Sequence, residues 1–235
     1  MNSLIKKILL PEWRHIWMLL YWPLMGAVFW SLELFADWEY HPVYSPLDDK
    51  IPFIEYFVVP YYFWFLYIIG SMIYFFFLDK LAFVKYTWSV IITHTVTLIV
   101  YILYPTCQEL RPQIEADSLC TYFISKLYGY DTNTNVCPSI HVIGSFSVYF
   151  AALKSEHIKS RIIKLLYLIA NILICLSTVF IKQHSVIDLI LGVILSLAVY
   201  PFVFADSNPS RKLCMLFYPQ RYNVNNIKRS VQCEP

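Results

Sequence analysis

The sequence predicts an all-α fold, a polytopic membrane protein with six transmembrane helices in one bundle, and composition and patterning together predict it. Of 235 residues, 58% are hydrophobic and 18% aromatic, while only 14% are charged, against about 25% charged in an average soluble domain. The apolar residues collect into long runs, and a span needs roughly 20 of them. Backbone amides in hydrocarbon have no water to bond, so such runs must be helices. These spans and their loops use most of the chain, which predicts a single membrane domain over 1–235, with its core at about 15–205 and a polar, basic tail at 206–235.

Near the N-terminus, Lys6 and Lys7 precede Ile8, Leu9 and Leu10, but Pro11, Glu12 and Arg14 stop that run short of a signal-peptide core. The first long stretch, 15–36, is therefore expected to remain as a span. The second, 55–78, overlaps an aromatic-dense segment at 51–67 that reads as an interfacial belt, with Glu55 at its outer end either a headgroup-facing acid or one within reach of a site there. The third is 86–104. The fourth, 140–153, is short, so its beginning is expected to face protein or water. The fifth and sixth are 162–181 and 186–205. No fixed-period repeat interrupts this order.

Charge sets the orientation. Lys6, Lys7, Arg14, Lys80, Lys85, Lys154, Lys159, Arg161, Lys164, Arg211, Lys212, Arg221, Lys228 and Arg229 fall on one side, leaving only Lys50, Arg111, Lys126 and Lys182 on the other. That second side collects Asp37, Glu39, Asp48, Asp49, Glu109, Glu115, Asp117, Asp131 and Asp188. By the positive-inside rule both termini are cytoplasmic and the acidic loops are outside. A net charge of +2, without a basic block interleaved with aromatics, excludes nucleic acid as a partner. Cys107, Cys120 and Cys137 share the long outer loop; they allow at most one bridge or stay as three free thiols, and they lack zinc-ligand spacing.

Chemistry concentrates at three outer stretches. His184 and Asp188 stand four apart at a helix start, which lets the carboxylate hold one ring nitrogen and leave the other as nucleophile or base. His141 also begins a helix and is suited to protonating a leaving oxygen. Arg111 offers a planar cationic fork for a phosphoryl group, and Ser139 with the amides at the start of the fourth span adds donors. His15, His41 and His157 read as interfacial, while His94 lies in mid-span.

These motifs resemble the type 2 phosphatidic acid phosphatase (PAP2) family, whose pattern is Lys-x6-Arg-Pro, Pro-Ser-Gly-His and Ser-Arg-x5-His-x3-Asp. Arg111-Pro112 matches the end of the first, Pro138-Ser139-Ile140-His141 the second with Ile140 for glycine, and His184 with Asp188 the end of the third. Tyr104 stands where the family has its lysine, and Ser177-Thr178 where it has Ser-Arg. Lys182 either substitutes for a missing cation or is an interfacial lysine reaching for headgroups.

The resemblance implies a lipid phosphatase acting at the outer membrane face without metal or cofactor. His184 would attack phosphorus, Asp188 would polarise His184, and His141 would protonate the leaving alkoxide. Arg111, Ser139 and Lys182 would hold the phosphoryl oxygens. Family members that transfer a phospho-headgroup, such as sphingomyelin and inositol-phosphorylceramide synthases, also keep the two histidines and the aspartate. Transfer between lipids is therefore a second expectation, and a non-catalytic lipid binder or transporter a third.

Overall fold

The structure, a computed structural model, describes residues 11–35, 38–115, 117–205 and 212–213; most of the expected tail and the basic N-terminus lie outside them. A 3-10 segment, Pro11–Leu20, leads into α1 (Tyr21–Phe35). Then come β1 (His41–Pro42), α2 (Val58–Leu78), α3 (Lys80–Leu103), β2 (Thr106–Cys107), α4 (Leu119–Tyr130), α5 (Ile140–Lys154), α6 (Arg161–Phe180) and α7 (Val186–Val203). The only strands among the described residues are the parallel pair β1 and β2, two residues each, which joins the loop after α1 to the loop after α3.

Five helical segments are long and apolar enough to cross a membrane: His15–Glu33, Glu55–Leu78, Lys80–Leu103, Arg161–Phe180 and Val186–Val203. Their outward faces are apolar. On α2, for example, Val59, Phe63, Leu66, Ile69, Ile73 and Phe77 recur every three or four residues and are all exposed, the arrangement of a helix solvated by hydrocarbon. The sixth expected span, α5, has 15 residues and reaches about 22 Å, less than the roughly 30 Å hydrocarbon core. It is the central helix, packed by α2, α3, α6 and α7. Ten of its residues are buried, among them Gly144, Ser145, Ser147, Ala151 and Ala152, and these small side chains let four neighbours approach. Gly144 marks one such approach: a Cβ there would lie 3.3 Å from both Ile68 and Trp64.

Two boundaries differ from the sequence expectation for physical reasons. The third apolar run begins near 86, yet α3 starts at Lys80, because Asp79 caps it by accepting from the Ala82 amide at 3.0 Å. The long loop contains α4, too short to span. It begins at a reciprocal cap between Ser118 and Thr121 and buries Ile124 and Leu127 against Val58, Tyr61 and Ile181. Glu55 is not left to headgroups: its carboxylate accepts from Ser118 Oγ at 3.1 Å and ties the start of α2 to α4. Cys107, Cys120, Cys137 and Cys175 are all free thiols.

At the end away from α4, Asp79 also accepts from Ser155 Oγ at 2.5 Å and pairs with His157 Nδ1 at 3.3 Å, joining the α2–α3 turn to the α5–α6 turn. Burial alone would raise this carboxyl, but the bonds from Ser155, Ala82 and His157 outweigh it and hold it below the ordinary carboxylate value. A depressed folded-state pKa means that the contribution is complete above the unfolded pKa and lost as pH falls through the folded one. Asp79→Ala removes a cap and strands a buried hydroxyl, so it is expected to destabilise by about 2 kcal/mol. Thermal unfolding in detergent checks this, and the difference from wild type should shrink below about pH 4.

Candidate active site

The turn between α6 and α7 builds the first half of the site. The amides of Gln183 and His184 both donate to the Thr178 carbonyl, at 3.0 and 2.9 Å, which reverses the chain and sets His184 at the mouth of α7. Lys182 takes a left-handed backbone, φ 56°, which for a non-glycine residue costs on the order of 1 kcal/mol. Its ammonium compensates by donating to the carbonyls of Asp48 (2.7 Å) and Ile51 (2.6 Å). Ser185 caps α7, and Asp188 completes the reciprocal cap by accepting from the Ser185 amide at 3.0 Å. The same Oδ2 lies 3.2 Å from His184 Nδ1. One carboxylate therefore both caps the helix and fixes the imidazole, leaving Nε2 for chemistry.

The second half is the start of α5. A cis Cys137–Pro138 bond precedes Ser139, whose amide donates to the Asp188 carbonyl at 3.2 Å. Tyr101 donates to the Pro138 carbonyl at 2.7 Å. These bonds lock the two helix starts together and place the His141 ring 5.7 Å from the His184 ring, edge to face. Both histidines are buried, 4% and 5% exposed, and Tyr61 and Trp64 pack on His141 at 4.4 and 4.5 Å. Ser139 Oγ is buried with no hydrogen-bond partner. An orphaned hydroxyl at a helix N-terminus is matched to an anion.

Arg111 is held against the end of α4. Its Nη1 and Nη2 donate to the carbonyls of Tyr128 (3.1 Å) and Asp131 (2.5 Å), and its guanidinium lies 4.5 Å over the Tyr128 ring. Nε is buried and unpartnered. Burial pushes this guanidinium down from its ordinary value, opposed by the Asp131 carboxylate. Asp131 in turn accepts from Tyr61 at 2.5 Å, and Tyr61 Oη is 3.5 Å from His141 Nδ1.

Four of the sequence-predicted residues, His184, Asp188, His141 and Ser139, thus meet directly, and Arg111 joins them through Asp131 and Tyr61. Lys182 is bonded to the loop at 48–51. Tyr104 is exposed and stacks on His41 at 4.3 Å. Ser177 and Thr178 turn back onto carbonyls of their own helix. His94 is bonded within α3, to the Val90 carbonyl at 3.1 Å. Sequence reading missed three residues. Buried Asp48 accepts from Ser185 Oγ (2.7 Å) and the Val186 amide (2.8 Å), and Asp131 and Tyr61 hold Arg111 and His141. The only signal was that both acids fall on the sparsely basic side; Tyr61 was hidden among the belt aromatics.

A cavity of about 310 Å³ opens between α2, α4 and α5, with Asp131 and His141 on its wall. A groove of about 570 Å³ between α2 and α6 is larger. Its wall has no histidine, carboxylate or cation, so the larger opening is not the one that the candidate residues line. Beside the site, α7 meets α5 at Gly192, where a Cβ would fall 2.9 Å from Val142 Cβ. Gly192→Ala therefore has to push α5 away and with it Ser139 and His141. The expected result is a drop in turnover of about tenfold with the fold retained, since misplacement by about 1 Å costs up to 10²-fold; steady-state kinetics alongside circular dichroism check it.

Comparison with curated proteins and with solved structures gave no match. The sequence profile of the PAP2 superfamily matches residues 82–212, more than half of the chain, running from the first turn of α3 past the end of α7. With the paired helix starts of α5 and α7 inside that match, the chain belongs to the PAP2 superfamily, whose members are phosphatases and related phosphoesterases.

Proposed function

We propose that this chain is an integral membrane enzyme that hydrolyses a phosphorylated lipid at the extracytoplasmic face. The observation that carries the reading is the His184–Asp188 pair facing His141 across one buried site. In this reading α5 is a sixth, internally shielded span, both termini are cytoplasmic, and the site end of the bundle is the outer end. His184 Nε2 attacks phosphorus, forming a P–N bond as the P–O bond to the leaving alkoxide breaks. The Nδ1 proton stays on the ring, donated to the Asp188 carboxylate, which offsets the positive charge. His141 gives a proton to the alkoxide, then takes one from the water that attacks the phosphohistidine and releases phosphate. Ser139 Oγ and Arg111 Nε, both without partners in the structure, hold the phosphoryl oxygens. The mechanism as proposed uses no metal.

A second reading, transfer of a phospho-headgroup to a lipid hydroxyl, draws support from Lys182. With that ammonium given to two backbone carbonyls, Arg111 is the side-chain cation left near His141, and a phosphodiester monoanion requires less neutralisation than a dianionic monoester.

Purified protein is incubated with mixed lipid phosphates and phospholipids, a chelator, and diacylglycerol and ceramide as acceptors. Free phosphate despite the chelator is the expected product; a headgroup moved to an acceptor without free phosphate selects the second reading. His184→Ala should lower either activity roughly 10³-fold or more, the scale for loss of a nucleophile, and full activity in that variant would refute the mechanism. Arg111→Lys should lower kcat/KM about tenfold, because a point charge does not replace a planar fork.

A further inference from the structure

Resting on the proposed role of His141, we infer that Tyr61 and Asp131 form a positioning relay that keeps this histidine able to act as an acid. His141 is 4% exposed, and burial disfavours the imidazolium that a proton donor must become. A compensating negative charge is needed nearby. Asp188 is already bonded to His184 and the Ser185 amide. The Asp131 carboxylate sits at the end of α4, and the fully buried Tyr61 bridges the gap. Its hydroxyl donates to Asp131 Oδ2 at 2.5 Å and presents a lone pair to His141 Nδ1 at 3.5 Å. Contacts of that length in a free enzyme tighten when the reacting state forms.

The proton arrangement follows from donor and acceptor counts. Asp131 accepts only, so the Tyr61 proton points to it, and Tyr61 oxygen is left as acceptor for Nδ1–H. His141 is then fixed with Nδ1 protonated in both of its charge states. Nε2 alone gains and loses the proton that passes to the leaving oxygen and returns from the incoming hydroxyl. No proton travels along the relay. Tyr61 and Asp131 act through orientation and charge.

The charged and titratable groups around His141 are few. Besides Tyr61 on α2 and Asp131 after α4, His184 faces it from the α6–α7 turn with Asp188 behind, and Arg111 is bonded to the Asp131 carbonyl. Tyr101 of α3 is turned to the Pro138 carbonyl. Arg111 and His184 oppose a cation at His141, which leaves Asp131 as the group whose loss should be felt most.

The test is the pH dependence of single-turnover rates in mixed micelles of phosphatidic acid, phosphatidylcholine and ceramide, which offer a monoester, a diester and an acceptor. Tyr61→Phe removes the acceptor for Nδ1–H. Asp131→Asn removes the charge while keeping the backbone carbonyl that holds Arg111. In both, the alkaline limb, where His141 loses its proton, should move down by about one pH unit. Rates should then fall about tenfold above the limb and stay near wild type below it, with KM little changed. An alkaline limb that stays in place, with a loss uniform in pH, would overturn the relay and leave Tyr61 a packing residue. Asp131→Asn decides alone if Tyr61→Phe does not fold. His141→Ala serves as reference and should lose most turnover together with the limb; if it retains both, the assignment of His141 itself has failed, and the relay with it.

Discussion

The capping of α7 is the interaction on which the rest of the site depends. The first turn of any helix exposes amides without partners, and in an apolar bundle each one left bare costs free energy on the scale of a lost hydrogen bond. Here the first amides are met from three directions. Asp48 takes the Val186 amide and the Ser185 hydroxyl, Ser185 Oγ takes the Ile187 amide, and Asp188 takes the Ser185 amide. With Asp188 held in that way, its oxygen has one place for His184. The geometry of the histidine is thus inherited from the geometry of a helix end, which explains how a short turn between two apolar helices keeps the ring in one tautomer.

The same reasoning explains why α5 is at the centre. Its N-terminal amide at Ser139 is bonded to the Asp188 carbonyl, and the α5–α7 contact closes at Gly192 against Val142. α5, which carries His141, and α7, which His184 immediately precedes, are therefore joined through backbone, and the spacing of the two rings does not rest on flexible side chains. At the other end, Asp79 ties the turns before α3 and after α5, so α5 is held at both ends while its small residues fill the middle. A helix shorter than the hydrocarbon thickness is tolerable in that position because its ends face protein.

Much of this was legible in the sequence, for definite reasons. Apolar runs of span length have one backbone solution in hydrocarbon, and His184 with Asp188, His141 and Ser139 lie within one turn of a helix start, where local spacing dictates proximity. What escaped reading depends on distant pieces of chain. Asp48 is 137 positions from Ser185, and Asp131 is 70 from Tyr61; no local period links them. Tyr61 was also masked by its neighbours, since Tyr56, Tyr62, Phe63 and Phe65 carry the same kind of side chain but point outward. Lys182 was read as a cation beside a histidine, and spacing gave no hint that the carbonyls of Asp48 and Ile51 would claim it. The short helix α4 was missed because its 12 residues fall below span length and Lys126 breaks its apolar run in sequence.

The distribution of charge gives the last step. Around the two histidines the structure gathers three carboxylates, Asp48, Asp131 and Asp188, and two cations, Arg111 and Lys182, and all but the Asp131 carboxylate are bonded to backbone. In a medium of low dielectric, such fixed dipoles act at full strength and need no reorganisation as charge develops. A phosphoryl group entering this site would meet two donors without partners, Ser139 Oγ and Arg111 Nε, and a ring on either side. That is sparse neutralisation for a dianion at equilibrium. Under the proposed reading it is better matched to a transition state, in which charge is spread over the equatorial oxygens and onto a leaving oxygen that His141 would protonate. Under the proposed reading, few cations thus weaken ground-state binding of phosphate more than they weaken catalysis. Under the same reading, the wall formed by Tyr62, Phe65 and Leu127 beside Asp131 and His141 would supply the remaining affinity through apolar substrate surface.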